Sequence, residues 1–437
     1  MRQAVQPKDP IRAHLENART QISQGLLKEA AATLNTAQRL LPNDARVFML
    51  AGLMAEKSGN VQAALEQLKK TVALAPDWAP GILELALLLA RQNHFQQALR
   101  WADRVMALDA KQPSVIAGAI DIAHRAGDLP AAIRYIKQGL DSIPGNVPLR
   151  MLLGRNLRSL QRFEESLQVW ETLLQALPQQ LDVHYEKVLT LVAAGQPQAA
   201  LHSCELLVQA APDNNIYQYY YAIAQGKTPA SQPSATYVPV FDNMAEKYDV
   251  HMFQTLGYRL PQLVAQKMLQ QHPDKKFNVL DLGCGTGLLG VFLGKIDGYL
   301  IGVDQSLKML EQAARHQVYE KFHSVDLKDA LANTPENLYE YITALDVFIY
   351  VGDLSTSIPN ANRILKQGGQ FIFSCEKADE NGPDLILLPE NRYAHKASHI
   401  AALCQKSGFS DIGIEELVIR YEAGQPVQGF LVTARKG

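Results

Sequence analysis

Between residues 278 and 290 the chain reads NVLDLGCGTGLLG, which lays two glycine patterns over one stretch. Gly285, Gly287 and Gly290 make G-x-G-x-x-G, while Asp281, Gly283, Gly285 and Gly287 make D-x-G-x-G-x-G. Either pattern brings backbone N–H groups at a strand-to-helix turn close to a ligand. In the first register the leading glycine should follow the strand directly, which leaves Leu282, Gly283 and Cys284 without a role. In the second the strand ends at Asp281 and Gly283 opens the turn, with nothing left over. A carboxylate at that strand end suits a positively charged amino-acid moiety better than a pyrophosphate. The second register is therefore preferred, and Gly290 reads as a helix-packing glycine.

Further acids follow at the ends of apolar runs. Asp304 closes YLIGVD and is placed to accept two ribose hydroxyls, with Gln305 beside it. Asp326, followed by Leu327, is placed to meet the amino group of an adenine, or else to cap the LKDAL turn. Asp346 closes a fourth run, beside the reacting atom. The next turn, LKQGG, has Gln367 where such turns usually carry proline. This series resembles the class I S-adenosylmethionine-dependent methyltransferases over about 240–437. The resemblance implies S-adenosylmethionine as cofactor and S-adenosylhomocysteine as product, with Asp281, Gly283, Gly285, Gly287, Asp304, Gln305, Asp326, Leu327 and Asp346 around it.

The segment FDNMAEKYDVHMFQTLGYRLPQLV is similar to the lead-in of methyltransferases of ubiquinone and biotin-precursor synthesis. There it folds over the cofactor, which would bring Tyr248 to the site. Methyl transfer needs chiefly in-line placement of a nucleophile, and positioning alone supplies about 7–11 kcal/mol of a barrier in favourable cases. The candidate catalytic residues are Asp346, Tyr350, Tyr393 and His395. Tyr350, Tyr393, His395, Tyr248 and Tyr258 could each polarise a hydroxyl or line a channel for an amine, or serve only packing or closure of the covering segment. An amine acceptor would have to be delivered neutral, which desolvated aromatic surroundings favour. His395 and His399 share a helical spacing that suits a metal, but no third ligand accompanies them, so no metal is expected.

These residues need elements to hold them. NVLDLG, YLIGVD, YITALDVFIY and QFIFSCE alternate with helical stretches, which argues a mostly parallel, Rossmann-like α/β sheet. The terminal IEELVIRYEAGQPVQGFLVTARKG reads as an antiparallel pair of strands. Ahead of them GKTPASQPSATYVPV, 226–240, is rich in Pro, Ser and Thr and reads as a linker.

The first half is all-α and repetitive. Pro42, Pro76, Pro144, Pro178 and Pro212 share a period of 34 residues. Gly25, Gly59, Gly127 and Gly195 share it too, with Asn93 and Gln161 in the open slots. So do Ala30, Ala64, Ala98, Ala132, Ser166 and Ala200. The Gly slot suits a left-handed helix end, the Ala slot a close helix crossing, and the Pro slot a stop. The pattern resembles the tetratricopeptide repeat, with about six repeats and a closing helix over 11–225 forming a solenoid. Family geometry places Lys57, Arg91 and Arg125 one repeat apart on the inner face, with Arg155 and Arg158 nearby. Such a ladder could hold an extended acidic peptide or a C-terminal carboxylate, or could merely keep the face solvated.

Composition sets the outer bounds. Net charge is −2 and charged residues make up 20%, which gives no general attraction to nucleic acid or anionic membrane. Four dispersed cysteines indicate neither a disulfide framework nor a zinc knuckle, and the N-terminus lacks the apolar core of a secretory signal. The expectation is a cytoplasmic methyltransferase of domains 11–225 and 241–437, whose array recruits or orients a protein or peptide acceptor. The alternatives are a small-molecule O- or N-methyltransferase docked to a biosynthetic complex, and a scaffold that binds cofactor without catalysis. A homodimer through the array is compatible with each.

Overall fold

The computed structural model describes residues 9–437. Internal contacts divide the chain into two compact units, one ending at Thr190 and one running from Leu191 to Gly437. That division falls inside the sixth repeat rather than at 226–240. The proline-rich stretch is tied down within the second unit. Ala230 O accepts from Asp353 N–H at 2.8 Å, and Gln232 N–H donates to Tyr350 O at 3.1 Å. Its second half enters a helix, Ser234–Met244.

The first unit is a run of helix pairs from Arg12–Gln24 to Phe163–Ala176, followed by Leu181–Ala193. Each lattice in the sequence has a structural counterpart. Gly25, Gly59 and Gly127 have φ of 81°, 82° and 69°, and Asn93 and Gln161, at 61° and 58°, hold the same left-handed turn without being glycine. Ala30, Ala64, Ala98, Ala132 and Ser166 are fully buried where paired helices cross. The second helix of each pair stops within three residues of its Pro slot, at Leu40, Leu74, Asp109, Ser142 and Ala176. The core is a continuous apolar ridge from Ile11 to Leu157, as expected when each repeat can bury its face only against the next.

The second unit begins with the last helices of the repeat pattern, Leu201–Ala210 and Asn215–Ala224. A nine-stranded sheet follows: β1 Val279–Leu282, β2 Leu300–Val303, β3 Lys321–His323, β4 Tyr339–Ala344, β5 Leu365–Lys377, β6 Leu385–Leu387, β7 Tyr393–His395, β8 Phe409–Glu422 and β9 Gln425–Lys436. Strands β3, β2, β1, β4 and β5 lie side by side and parallel, and β9 pairs antiparallel with both β5 and β8. The short pair β6–β7, absent from the expected pattern, lies beside the end of β5, with Ala394 and His395 opposite Glu376 and Lys377. It takes up Tyr393 and His395, which the sequence suggested as cleft residues ahead of a helix. Apolar clusters cover both faces of the sheet. Strand order reverses between β1 and β4, and in such sheets the crevice past the strand ends at that point receives ligands.

Candidate active site

The glycine loop leaves β1 with φ of 63° at Gly283, 53° at Gly285 and 84° at Gly287, conformations that side-chain-bearing residues rarely adopt. Gly283, Gly285 and Gly290 have different neighbours. A Cβ at Gly283 would lie 2.3 Å from Val347 Cγ2, and one at Gly290 2.4 Å from the Tyr319 ring. Gly290 lies outside the left-handed set and packs on Tyr319, so it is the packing glycine, and the second register describes the turn. At Gly285 the space is open, the nearest atom being Tyr248 Cε1 at 4.0 Å. A ligand can approach the backbone there.

Two cavities are lined by residues of this loop, and a third shares lining residues with the first. The first is lined by Gly283, Gly285, Asp304, Gln305, Asp326, Leu327, Asp346 and Tyr350, with Tyr237 and Phe241 from the helix Ser234–Met244. A small second chamber is lined by Asp281, Thr286 and Tyr258. The third, about 510 Å³, is lined by Asp346, Tyr350, Arg392, Arg420 and Glu422 with Tyr220, Phe241 and His251. Tyr248 lines all three. It opens a distorted stretch in which one helical turn passes into a π-helix, His251–Thr255, an irregularity found frequently at functional sites.

The acids are held in distinct ways. Asp281 is buried, with Tyr319 Oη donating to Oδ2 at 2.6 Å and Thr343 Oγ1 to Oδ1 at 2.7 Å. Burial outweighs those bonds and pushes its carboxyl up to about 6. Asp304 accepts backbone N–H bonds from Gly285 at 2.9 Å and Ser306 at 2.8 Å, which fixes both oxygens of a residue that lines the first cavity. Burial raises its pKa, and those N–H groups oppose the rise. Asp326 caps the helix Leu327–Asn333 through Lys328 N–H at 2.7 Å, and its other oxygen accepts from Gln305 Nε2 at 2.6 Å. The capping role is therefore real, and the residue lines the first cavity as well.

The lead-in segment covers this site and is bonded to it. Ser306 Oγ donates to Asp242 at 2.5 Å, and Thr286 Oγ1 donates to Asp249. Tyr237 stacks on Tyr350 with centroids 4.7 Å apart, and Phe241 meets Tyr350 and Tyr248 edge-on. Burial pushes the Tyr350 phenol up to about 12, so it is protonated at neutral pH.

Two expected base candidates are misplaced. His395 is 1% exposed, its Nε2 lies 2.8 Å from Gly352 O, and it lines none of the three cavities. Burial drives its pKa down to about 4. Tyr393 is fully buried against Gly352. The pairing of β7 with β5 turns both inward, and a tripeptide strand flanked by polar residues carries too little periodicity to announce itself. Among the described residues no group of three His, Cys, Asp or Glu side chains is arranged to hold a metal ion.

The array cations form no free ladder. Lys57 Nζ donates to the carbonyls of Ile22 and Ser23, each at 2.7 Å. Arg91 is bidentate to Glu56, Arg125 pairs with Asp121, and Arg155 and Arg158 share Glu186. Except for the Arg125 pair, these contacts reach another helix pair, so they serve chiefly as staples between repeats. Helix C-terminal carbonyls lacking intrahelical partners draw in such cations.

The sequence reading missed a buried ion cluster under the third cavity. Arg420 on β8 binds Asp346, Glu376 and Glu422, and Arg392 pairs with Glu376 at 3.0 Å and Glu422 at 2.7 Å. The signal was there in Glu376, which closes the apolar run QFIFSC, and Arg420, which sits in an otherwise apolar stretch of strand.

The family described as Methyltransferase domain matches residues 280–373, and Tetratricopeptide repeat matches 15–77 and 151–225. A ubiquinone biosynthesis O-methyltransferase of Nitrosomonas europaea is 28% identical over 153 residues, covering 31% of this chain and 65% of that protein. The same enzyme of Idiomarina loihiensis is 24% identical over 38% of this chain and 74% of its own length. The chain thus spans less than two thirds of the first of these relatives. A solved methyltransferase of Thermotoga maritima, described as a possible histamine N-methyltransferase, aligns over 45% of this chain and 98% of its own at 17% identity and a TM-score of 0.34. No described helix is long and apolar enough to cross a membrane.

Proposed function

We propose that this chain, which carries a methyltransferase domain together with tetratricopeptide repeats, transfers a methyl group from S-adenosylmethionine to an acceptor in the third cavity. The observation that carries the reading is that Tyr248 lines all three cavities, with Asp346 shared between the first and the third. The residues present fit the cofactor. The open approach to the backbone at Gly285 suits its methionine portion, Asp304 its ribose, Asp326 and Leu327 its adenine, and buried Asp281 its amino group. When bound, S-adenosylmethionine supplies an electrophilic methyl group on a sulfonium. The protein's part is to orient: Asp304 is set by two backbone N–H groups, and Tyr248 and Phe241 cover the chamber and exclude water. Asp242 and Asp249 hold that cover to Ser306 and Thr286.

The array is the recruiting part, and its partner is a protein or peptide, since a long repeat surface exceeds what a small metabolite requires. A second reading, favoured by the relatives named for ubiquinone biosynthesis, makes the acceptor a small molecule and the array a dock to a biosynthetic assembly. Incubation of the full chain with methyl-labelled S-adenosylmethionine and a host lysate separates them. Label in protein supports recruitment, and label in small molecules supports the second reading. Absence of S-adenosylmethionine binding by calorimetry would overturn both.

A further inference from the structure

Charges around the third cavity do not balance. Asp346, Glu390 and Glu422 line it against Arg392 and Arg420, and Glu376 stands behind them. Arg420 is 3% exposed, and three carboxylates occupy it. Arg392 is held by Glu376 and Glu422. Negative charge is therefore in surplus around the cavity. Asp346 gives Oδ1 to Arg420, while Oδ2 has no hydrogen-bond partner among the described residues. The residue lines both the first and third cavities.

The backbone beneath it is held in place. Asp346 has φ of 58°, in the left-handed region, and its N–H is held by Ser374 Oγ at 2.8 Å. Asp adopts this conformation readily, and the Ser374 bond fixes the peptide that carries the carboxylate. Tyr237, Phe241, Tyr248 and Tyr350 line the same space as a linked set of rings. Aromatic faces beside an unpaired carboxylate oxygen attract a cation, whereas a carboxylate acceptor would be repelled.

We infer that the acceptor is an amine, received as its ammonium by Oδ2 of Asp346, with Arg420 as the positioning residue that turns this oxygen toward the junction. The inference rests on the methyl-transfer reading above. An alkylammonium with a pKa of about 10.4 has no lone pair at neutral pH. One N–H proton passes to Asp346 Oδ2, leaving a neutral amine and a carboxylic acid. The amine lone pair then forms the N–CH3 bond, the C–S pair departs with sulfur, and Asp346 returns its proton to solvent. Burial raises the Asp346 pKa, which favours this transfer. The groups facing it are Arg420 and Glu422 from β8, Glu376 from β5, Arg392 ahead of β7, Tyr350 beyond β4, and Tyr248 and Tyr258 from the covering segment. The two arginines hold the carboxyl down, and burial and the neighbouring carboxylates push it up.

The test uses the full chain saturated with S-adenosylhomocysteine and three probes of similar size: phenethylamine, p-cresol and phenylacetate. Calorimetry should show phenethylamine binding at least tenfold tighter than the other two. Asp346→Asn, which keeps the size and tolerates the left-handed backbone, should weaken amine binding tenfold or more. With labelled S-adenosylmethionine, methyl should reach phenethylamine alone. Preference for p-cresol or phenylacetate, or failure of all three to bind, overturns the inference and leaves methyl transfer standing. If S-adenosylhomocysteine itself does not bind, the underlying reading fails as well. Should Asp346→Asn not fold, the selectivity of the unaltered chain decides.

Discussion

Arg420→Ala removes the one guanidinium that holds Asp346, Glu376 and Glu422 together. Glu376 is 3% exposed and would keep only Arg392, and Asp346 would have no ion-pair partner left. Breaking a buried pair by removing one partner costs about 3–5 kcal/mol, because the remaining charge stays desolvated. At about 1.4 kcal/mol per tenfold, amides that exchange through opening of this unit should exchange roughly two to four orders of magnitude faster. The assay is hydrogen exchange of peptides covering β4 and β5 at two pH values. All three tryptophans, Trp78, Trp101 and Trp170, lie in the first unit, so their fluorescence reports the array separately. The sign with pH follows from linkage. Without Arg420, Arg392 is the one cation left to oppose burial at these carboxyls, so their folded-state pKa rises further above the unfolded value of about 4. The folded chain then binds protons more readily than the unfolded one, so stability is lost as pH rises through the folded pKa and recovered as it falls. The deficit against the unaltered chain should be largest near pH 8 and clearly smaller near pH 5.5. Equal deficits at both, or a loss below about 1 kcal/mol, would refute the picture of a buried, mutually dependent cluster.

Further outcomes follow from single contacts. Gly59→Ala has nothing within 4 Å of the new Cβ, so its cost of about 1–2 kcal/mol is that of φ 82° alone, read from the tryptophan unfolding transition in urea. Gly154→Ala instead drives a methyl to 2.3 Å from Trp170 and should cost about 1–3 kcal/mol with a shift in the folded-state emission; an unshifted spectrum would contradict the contact. Tyr319→Phe deletes a bond that lowers the Asp281 pKa, so that pKa should rise above about 6. Cofactor affinity by calorimetry, which needs Asp281 ionised, should then begin to fall at a higher pH than in the unaltered chain. Identical pH profiles would remove Asp281 from the site.

Much of this protein is local and so could be read directly. A left-handed helix end, a close crossing and a helix stop each concern neighbours within one repeat, and three such lattices recur every 34 residues. Even Asn93 and Gln161, which break the glycine pattern, take its backbone, because their place in the repeat outweighs their own preference. The loop after β1 was equally legible, since Asp281 and its glycines act within one turn. Asp304, Asp326 and Asp346 were found because parallel strands end on one side of the sheet. What escaped depends on pairing between distant segments. His395 and Tyr393 looked like cleft residues until β7 paired with β5 and turned them inward. Lys57 and Arg91 looked free until neighbouring repeats supplied a carbonyl or a carboxylate. Arg420 and Glu376 lie 44 residues apart and meet through β9, which pairs with both of their strands. Sequence determined which residues could do chemistry, because residue type and local spacing carry that information. Tertiary structure decided which of them face a cavity and which are occupied by a partner, because burial and ion pairing are settled by chain segments far apart in sequence.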